Sequence, residues 1–332
     1  MERFTPYLAD INNLSCTVKV DAKKEYVQPA LKNVGNLSLV LIREAIAPVI
    51  FRNAEEEITD IEVKNTTYIR GVPNKFKYPE KGRSLQILRA LGVGGKHPQN
   101  KTTLQPKKMP SEAYDLNTLV FGDSVVQDGR VLSVKAAVNY SDALSVLRKE
   151  LCVDSSFHNA AMEDGSLFDA DTKKNSNSLF TRHFIRPGSL MVQVLSTRGK
   201  LLPQIGLDHL LLSIGVAGAY GGQTSVTGTN IKTHIVGIYG GNYENALSSP
   251  YELIKALDPD NEEKGTDVTA VSEHLHNLLN DAYPTVMTGE EAQAYMEGLL
   301  QRFDDNSLKK DYEEAKTHID KYFDNWFGSG SK

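Results

Sequence analysis

The sequence has little of what disulfide-rich, metal-held or membrane-anchored proteins are built from. It contains 2 cysteines in 332 residues, Cys16 and Cys152, and neither belongs to a CxxC pattern. A disulfide framework and a cysteine zinc site are therefore not expected. No apolar run reaches the ~18 residues that a membrane-spanning helix needs. Residues 1–6 also lack the apolar stretch of a signal peptide. We expect a cytoplasmic protein without a membrane partner.

Common catalytic motifs are also missing. The patterns GxSxG, HExxH, GxGxxG and GxxxxGKS/T do not occur. The segment that starts at Asp258 begins like a calcium loop, but Glu263 stands where the turn glycine belongs. His274 and His276 are two residues apart on a predicted helix, so they point away from each other. The sequence thus predicts no catalytic residue, no cofactor and no metal site.

Charge is distributed very unevenly along the chain. The formal net charge is −5, but residues 64–111 contain 11 basic residues and a single acid, Glu80. Residues 252–332 contain 18 acids and 8 bases. Such a dipolar chain can bind a polyanion on one face. Tyr68, Phe76 and Tyr78 lie among the bases, which suits phosphate neutralisation combined with base stacking, whereas a solvated lysine-rich loop is the simpler alternative.

Hydrophobic periodicity predicts strands and helices in a recognisable order. The order is a strand at 36–51, a helix at 81–91, strands at 116–121 and 130–138, paired extended runs within 179–195, a helix at 207–216 and a strand at 231–239. Asp128-Gly129 predicts a hairpin turn, and Pro187-Gly188 divides the paired runs. This is the βαββαβ plan of ferredoxin-like and RRM-like folds, an α+β class with an antiparallel sheet and two helices on one face.

The predicted elements divide the chain into a core and a helical C-terminal region. We expect residues 1–250 to form an RRM-like core, the palm, with segments inserted at about 53–80, 92–116 and 154–178. After Pro250, apolar residues recur at spacings of 3 and 4, so a helical C-terminal region is predicted over 251–327. Residues 328–332 are predicted to be a flexible tail.

A glycine-rich segment carries the strongest binding signal. Five glycines occur from Gly215 to Gly228, mixed with Gln223, Thr224 and Ser225. Glycine lets the backbone approach a phosphate closely, and N–H, hydroxyl and amide groups donate hydrogen bonds to its oxygens. A helix cap and a turn, the simpler interpretation, need only about one or two glycines. We predict that this loop contacts a nucleic-acid backbone.

Five segments are informative as an ordered set. They are APVIFR at 47–52, YDLNTLVFGD at 114–123, VNYSDA at 138–143, LFTRHFIRPG at 179–188 and the glycine loop at 218–228. Over roughly residues 36–240, the chain resembles the backbone subunit of type I-D CRISPR surveillance (Cascade) complexes, in the RAMP superfamily.

The resemblance implies a structural, non-enzymatic role. In this family, an RRM-like palm with inserted segments binds the guide CRISPR RNA, and copies of the subunit polymerise head to tail into a helical filament. The subunits hold the RNA by its backbone, and the bases stay free to pair with a target DNA or RNA strand. Further Cascade subunits are the other implied partners. The chain lacks an RNP1 signature such as KGFGFVxF, so RRM-type base recognition is not predicted.

We predict that RNA is contacted by the glycine loop and by basic residues near the first strand, the first helix and a later strand. In chain order, the predicted RNA-binding residues are Arg43, Arg52, Lys75, Lys81, Arg83, Arg89, Lys96, Arg182, Arg186, Gly221, Gly222, Gln223, Thr224 and Ser225.

Two other functions stay open from the sequence. A target-RNA endoribonuclease would use a loop carboxylate, and Glu55, Glu56, Glu57 and Asp60 are candidates, although a solvated acidic face explains them as well. A generic binder of phosphate ligands would bind mononucleotides saturably and remain a monomer in solution. Glu55–Asp60 lie within the predicted insertion at about 53–80.

Overall fold

The computed structural model describes residues 1–14, 16–20, 23–27, 33–52, 58–95, 103–159, 168–169, 173–175, 179–221 and 228–328. Its strands are β1 (Cys16–Val20), β2 (Lys23–Val27), β3 (Asn36–Ala45), β4 (Asp60–Val63), β5 (Thr66–Gly71), β6 (Asp123–Gln127), β7 (Arg130–Val134), β8 (Val138–Ser145), β9 (Val153–Asn159), β10 (Phe168–Asp169), β11 (Lys174–Asn175), β12 (Leu179–Ile185), β13 (Leu190–Thr197), β14 (Ile231–Gly241) and β15 (Thr285–Thr288). Its α-helices are α1 (Asn74–Leu91), α2 (Leu116–Phe121), α3 (Lys149–Cys152), α4 (Gln204–Val216), α5 (Pro250–Leu253), α6 (Glu262–Gly265), α7 (Val268–Asn280), α8 (Gly289–Asp304) and α9 (Lys309–Gly328).

The centre of the molecule is an antiparallel sheet. Its strand order, among the described residues, is β15-β14-β3-β13-β8-β5-β4. The four strands β14-β3-β13-β8 are the core, with α1 lying between β3 and β8 along the chain and α4 between β13 and β14. This arrangement confirms the predicted α+β class and its βαββαβ order.

Strand β3 explains why the core was visible in the sequence. Leu39 and Leu41 face a hydrophobic cluster that includes α1 and α4, whereas Val40 and Ile42 face a second cluster that includes α5 and α7. A strand that is covered on both faces needs apolar residues at nearly every position, so it appears in the sequence as a continuous apolar run.

The C-terminal helices cover both faces of the sheet. Helix α7 buries Val271, Leu275 and Leu279, spaced by four, on the side of β3 that holds Val40. Helices α8 and α9 join the cluster of α1 and α4. Strand β15, which the sequence did not predict, lies between α7 and α8 and pairs with β14. None of the helices in the described ranges is both long and apolar enough to cross a membrane.

Two local predictions differ in outcome. The strand predicted at 116–121 is wrong, because Leu116–Phe121 is helix α2. Asp115 accepts a hydrogen bond from the backbone of Thr118, whose hydroxyl accepts one from the backbone of Asp115 in return, and this capping box starts the helix. All residues of α2 are buried, and six residues are too few to establish a helical period. The turn at Asp128-Gly129 is confirmed, since both residues have positive φ and join β6 to β7.

Helix α1 begins earlier than predicted, at Asn74 instead of residue 81. The longer helix matters because the predicted contact Lys75 lies in its added turns. The break at Pro187-Gly188 separates β12 from β13 as predicted.

Candidate nucleic-acid interface

The one acid of the basic segment, Glu80, points into the protein. The Glu80 carboxylate and the Arg43 guanidinium are both fully buried, with 2.7 Å between Glu80 Oε1 and Arg43 Nη1. The Tyr220 hydroxyl donates to Glu80 Oε1 at 2.9 Å, and the Tyr140 hydroxyl donates to Oε2. Burial and the negative Glu80 both raise the pKa of Tyr140 and Tyr220, so these phenols stay protonated and donate.

Arg43 therefore corrects one of the predicted RNA contacts. Its Nε donates to Gln193 at 3.0 Å and its Nη1 donates to Thr233 at 2.8 Å, and its Cζ lies 5.1 Å from the centroid of the Phe76 ring. Burial alone would lower the pKa of Arg43, but Glu80 together with Tyr220 and Tyr140 offsets this, and the pKa is raised. The cation is held in the core because its counter-ion is there, and no part of it is exposed to a ligand.

The outward face of α1 carries cations without an exposed acid on the same helix. Lys75 Nζ donates to the backbone carbonyl of Arg52. Lys81 Nζ donates to the carbonyl of Gly122 at 2.7 Å and lies 3.7 Å from the Asp123 carboxylate. These bonds fix the Lys75 ammonium group beside the exposed Arg52 and the Lys81 ammonium group beside Gly122.

Lys77 belongs to the same surface, although it was not among the predicted contacts. Burial lowers the pKa of Lys77, and the charge of Lys81, four residues later, lowers it further. Like charges at this helical spacing are mutually destabilising, and an external anion would relieve the repulsion. Within the described residues, no carboxylate forms an ion pair with Lys77. The spacing of Lys77 and Lys81 was the available signal in the sequence.

The base of the glycine loop is fixed by a buried asparagine. Asn230 Oδ1 accepts from the Tyr220 backbone N–H at 2.9 Å, and Asn230 Nδ2 donates to the Tyr220 carbonyl at 2.8 Å. The backbone N–H groups of Asn230 and Ile231 donate to the Gly218 carbonyl. Gly221 and Gly228 have φ of +113° and +116°, a conformation that favours glycine. The predicted contacts Gly222, Gln223, Thr224 and Ser225 lie outside the described residues.

Ring contacts bring the start of this loop to the first half of α1. The Tyr220 and Phe76 ring centroids are 5.7 Å apart, and Phe76 is 5.0 Å from Phe51. Gly221 follows Tyr220, and Arg52 follows Phe51. The structure thus gathers four predicted contacts, Arg52, Lys75, Lys81 and Gly221, together with Lys77, in one area. We call this area the α1 surface.

The other basic residues that were predicted to contact RNA do not belong to the α1 surface. Arg83 donates to Gln86 at 3.2 Å, and Arg89 Nε donates to the Gly95 carbonyl at 2.7 Å, both farther along α1. Arg186 forms an ion pair with Glu262 at 3.0 Å. Arg182 lies on β12 opposite Ser156 of β9, and Lys96 lies outside the described residues.

The basic residues of segment 64–111 therefore do not form one continuous surface. Arg70 forms an ion pair with Asp142 at 3.0 Å, and Lys108 forms one with Glu112 at 3.1 Å. Carboxylates of the protein balance both charges. Among the described residues, the basic side chains available near the glycine loop are therefore those of the α1 surface.

The described residues contain no metal site that would support the nuclease hypothesis. Asp60 forms an ion pair with Lys149, and Glu55, Glu56 and Glu57 lie outside the described residues. Across the described part of the chain, no group of three or more His, Cys, Asp or Glu side chains could hold a metal ion.

Comparisons with known proteins identify the family. A crystal structure of Csc2 from Thermofilum pendens superposes with a TM-score of 0.65 and 15% identity, covering 98% of this chain and 95% of that chain. A chain described as CRISPR RNA-guided surveillance complex, pre-nicking, gives a TM-score of 0.50 and 9% identity, covering 74% of this chain and 88% of that chain. No curated protein matches the chain. The sequence model of the Csc2 Crispr family matches residues 78–319, so this chain belongs to the Csc2 Crispr family.

Proposed function

We propose that the chain is a CRISPR RNA-binding structural subunit of a type I-D surveillance complex. It polymerises along the guide RNA through sequence-independent contacts to the sugar–phosphate backbone. It presents the guide for pairing with a target DNA or RNA strand. Other copies of the chain and further Cascade subunits are its protein partners.

The α1 surface is the observation that carries this proposal. Lys75 and Lys77 lie in the first turn of α1, where the helix dipole disfavours cations and favours anions. Lys81 extends the cationic face by one turn, and the glycine loop starts beside it. An isolated protein gains nothing from such an arrangement, whereas bound phosphates would neutralise the charges and release counter-ions.

RNA is the polyanion that we favour because of the family and the fold. A chain of an RNA-guided surveillance complex shares this fold. The contacts available at the α1 surface are ammonium groups, a guanidinium and glycine backbone, which bind phosphates and do not distinguish bases. We therefore expect single-stranded RNA of any sequence to bind with similar affinity.

Native purification tests the proposal. The protein is purified from its own cells without nuclease, its absorbance ratio is measured, and the co-purifying nucleic acid is sequenced. We expect uniform short RNAs that share a repeat-derived end. Protein free of nucleic acid, or bound to unrelated RNA fragments, contradicts the proposal. Saturable mononucleotide binding by a monomer would favour a generic phosphate-ligand binder instead.

The same preparation tests the nuclease alternative. It is incubated with target RNA complementary to the guide, with and without Mg²⁺. We expect the target to pair and remain intact. Metal-dependent cleavage that is lost in Asp60→Ala would replace the structural role with an endoribonuclease.

A further inference from the structure

The three aromatic residues of the basic segment have different environments. Tyr68 is 5% exposed and Phe76 is fully buried, so both belong to the hydrophobic clusters. Tyr78 is 72% exposed. Its ring lies among the lysines of the α1 surface, where it is accessible to a ligand that those lysines bind.

The surroundings of Tyr78 suit a planar ligand next to phosphates. Lys75 precedes Tyr78 by three residues and Lys81 follows it by three, so the two lysines lie on either side of the ring along the helix. Gly82 follows Tyr78 by four residues, where a side chain would cover the ring. A Cβ built at Gly82 meets nothing within 4 Å. The helix surface is therefore open at this position, next to the exposed Tyr78 ring.

We propose that Tyr78 stacks on one base of the bound RNA strand while the flanking lysines bind its phosphates. The inference rests on the proposed function. It extends that function because the RNA contacts proposed above involve only the sugar–phosphate backbone of the RNA. Stacking tolerates any base, since every base has a π face, and it is compatible with sequence-independent binding.

Two kinds of RNA separate stacking from phosphate contact. One is a fluorescently labelled single-stranded RNA of mixed sequence, and the other has the same phosphates but abasic ribose units in place of every nucleotide. Full-length wild-type protein, Tyr78→Ala, Tyr78→Phe and the matched control Tyr243→Ala are titrated against both. Tyr243 is a suitable control because it is also highly exposed, at 63%, and lies at the far end of β14.

We expect Tyr78→Ala to bind normal RNA about tenfold more weakly, within the range measured for base–aromatic stacking. Its affinity for abasic RNA should change less than about twofold, and its salt dependence should match wild type because no phosphate contact is lost. Tyr78→Phe retains the ring and should bind like wild type, as should Tyr243→Ala.

Three results would overturn the inference. The first is an equal loss on both RNAs with Tyr78→Ala, and the second is an unchanged affinity for normal RNA. The third is a Tyr78→Phe variant as weak as Tyr78→Ala, which would assign the role to the hydroxyl. In these cases wild type still binds RNA, so the proposed function survives. If wild-type protein binds neither RNA, the proposed function fails together with the stacking role.

Discussion

Helices α1 and α9 are both long and both contribute to the same hydrophobic cluster, yet they arrange their charges in opposite ways. On α9, Lys309, Lys310 and Lys316 each face a carboxylate four residues later, Glu313, Glu314 and Asp320 respectively. On α1, the only acid is Glu80, and it is buried against Arg43. The lysines of α1 instead contact backbone carbonyls and one carboxylate from outside the helix, and the charge of Lys81 lowers the pKa of Lys77.

The difference determines which charges are available to an external anion. The α9 lysines are balanced within their own helix, so an external anion would have to compete with Glu313, Glu314 and Asp320. The α1 lysines are held in place but only weakly neutralised. A count of basic residues along the sequence cannot distinguish these two situations, whereas the position of the acids can.

The largest expected effect concerns the inward side of α1. Glu80→Gln removes the counter-ion of the fully buried Arg43 and should lower the free energy of unfolding by about 3–5 kcal/mol, because an uncompensated charge remains in the core. Chemical denaturation measures this loss. The matched variant Glu313→Gln breaks an exposed pair on α9 and should cost less than about 1 kcal/mol. Similar losses in the two variants would contradict the distinction between the inward and outward charges.

A smaller effect on stability is expected where α1 and α9 both contact α4. His209 of α4 is fully buried between Ser84 of α1, at 2.6 Å, and Tyr312 of α9, at 3.0 Å. Burial lowers the pKa of His209 from 6.5 to about 3. Between these values the unfolded chain binds a proton that the folded protein excludes, so the contribution of His209 to stability falls as the pH is lowered from 6.5 toward 3.

NMR spectroscopy checks the protonation state of His209 directly. Its ring signals should keep the shifts of neutral imidazole as the pH is lowered through 6.5 in the folded protein, while the exposed His274 serves as an internal reference. A His209 that titrates near 6.5 would mean that the contact between α1, α4 and α9 is open to water.

The first core strand was predictable because β3 is covered on both faces and appears as an apolar run. The second core strand, β8, was not predicted, because it contains several polar residues, and the strand predicted at 130–138 corresponds mainly to β7 of a separate hairpin. The segment Leu116–Phe121 forms a buried helix, and with only six residues its apolar spacing does not distinguish a helix from a strand. Strand β15 has only four residues, too few to show a period. These errors come from local patterns that carry no information about what covers a segment.

The excess of basic residues around α1 was visible in the sequence, but their surroundings in the folded protein were not. The burial of Arg43 could not be predicted, because its partner Glu80 comes from a distant part of the chain and the pairing depends on how α1 packs against β3. Lys77 was missed because its importance depends on the longer course of α1, which begins at Asn74.

The salt dependence of RNA binding tests the central claim most directly. The triple variant Lys75→Gln, Lys77→Gln and Lys81→Gln is compared with Lys309→Gln, Lys310→Gln and Lys316→Gln, which removes equal charge from α9. For single-stranded RNA, the slope of log affinity against log salt should fall by about 2 in the α1 variant, at ~0.7 per lost phosphate contact, and stay at the wild-type value in the α9 variant. Equal slopes in the two variants would contradict the assignment of the α1 surface as the RNA-binding face.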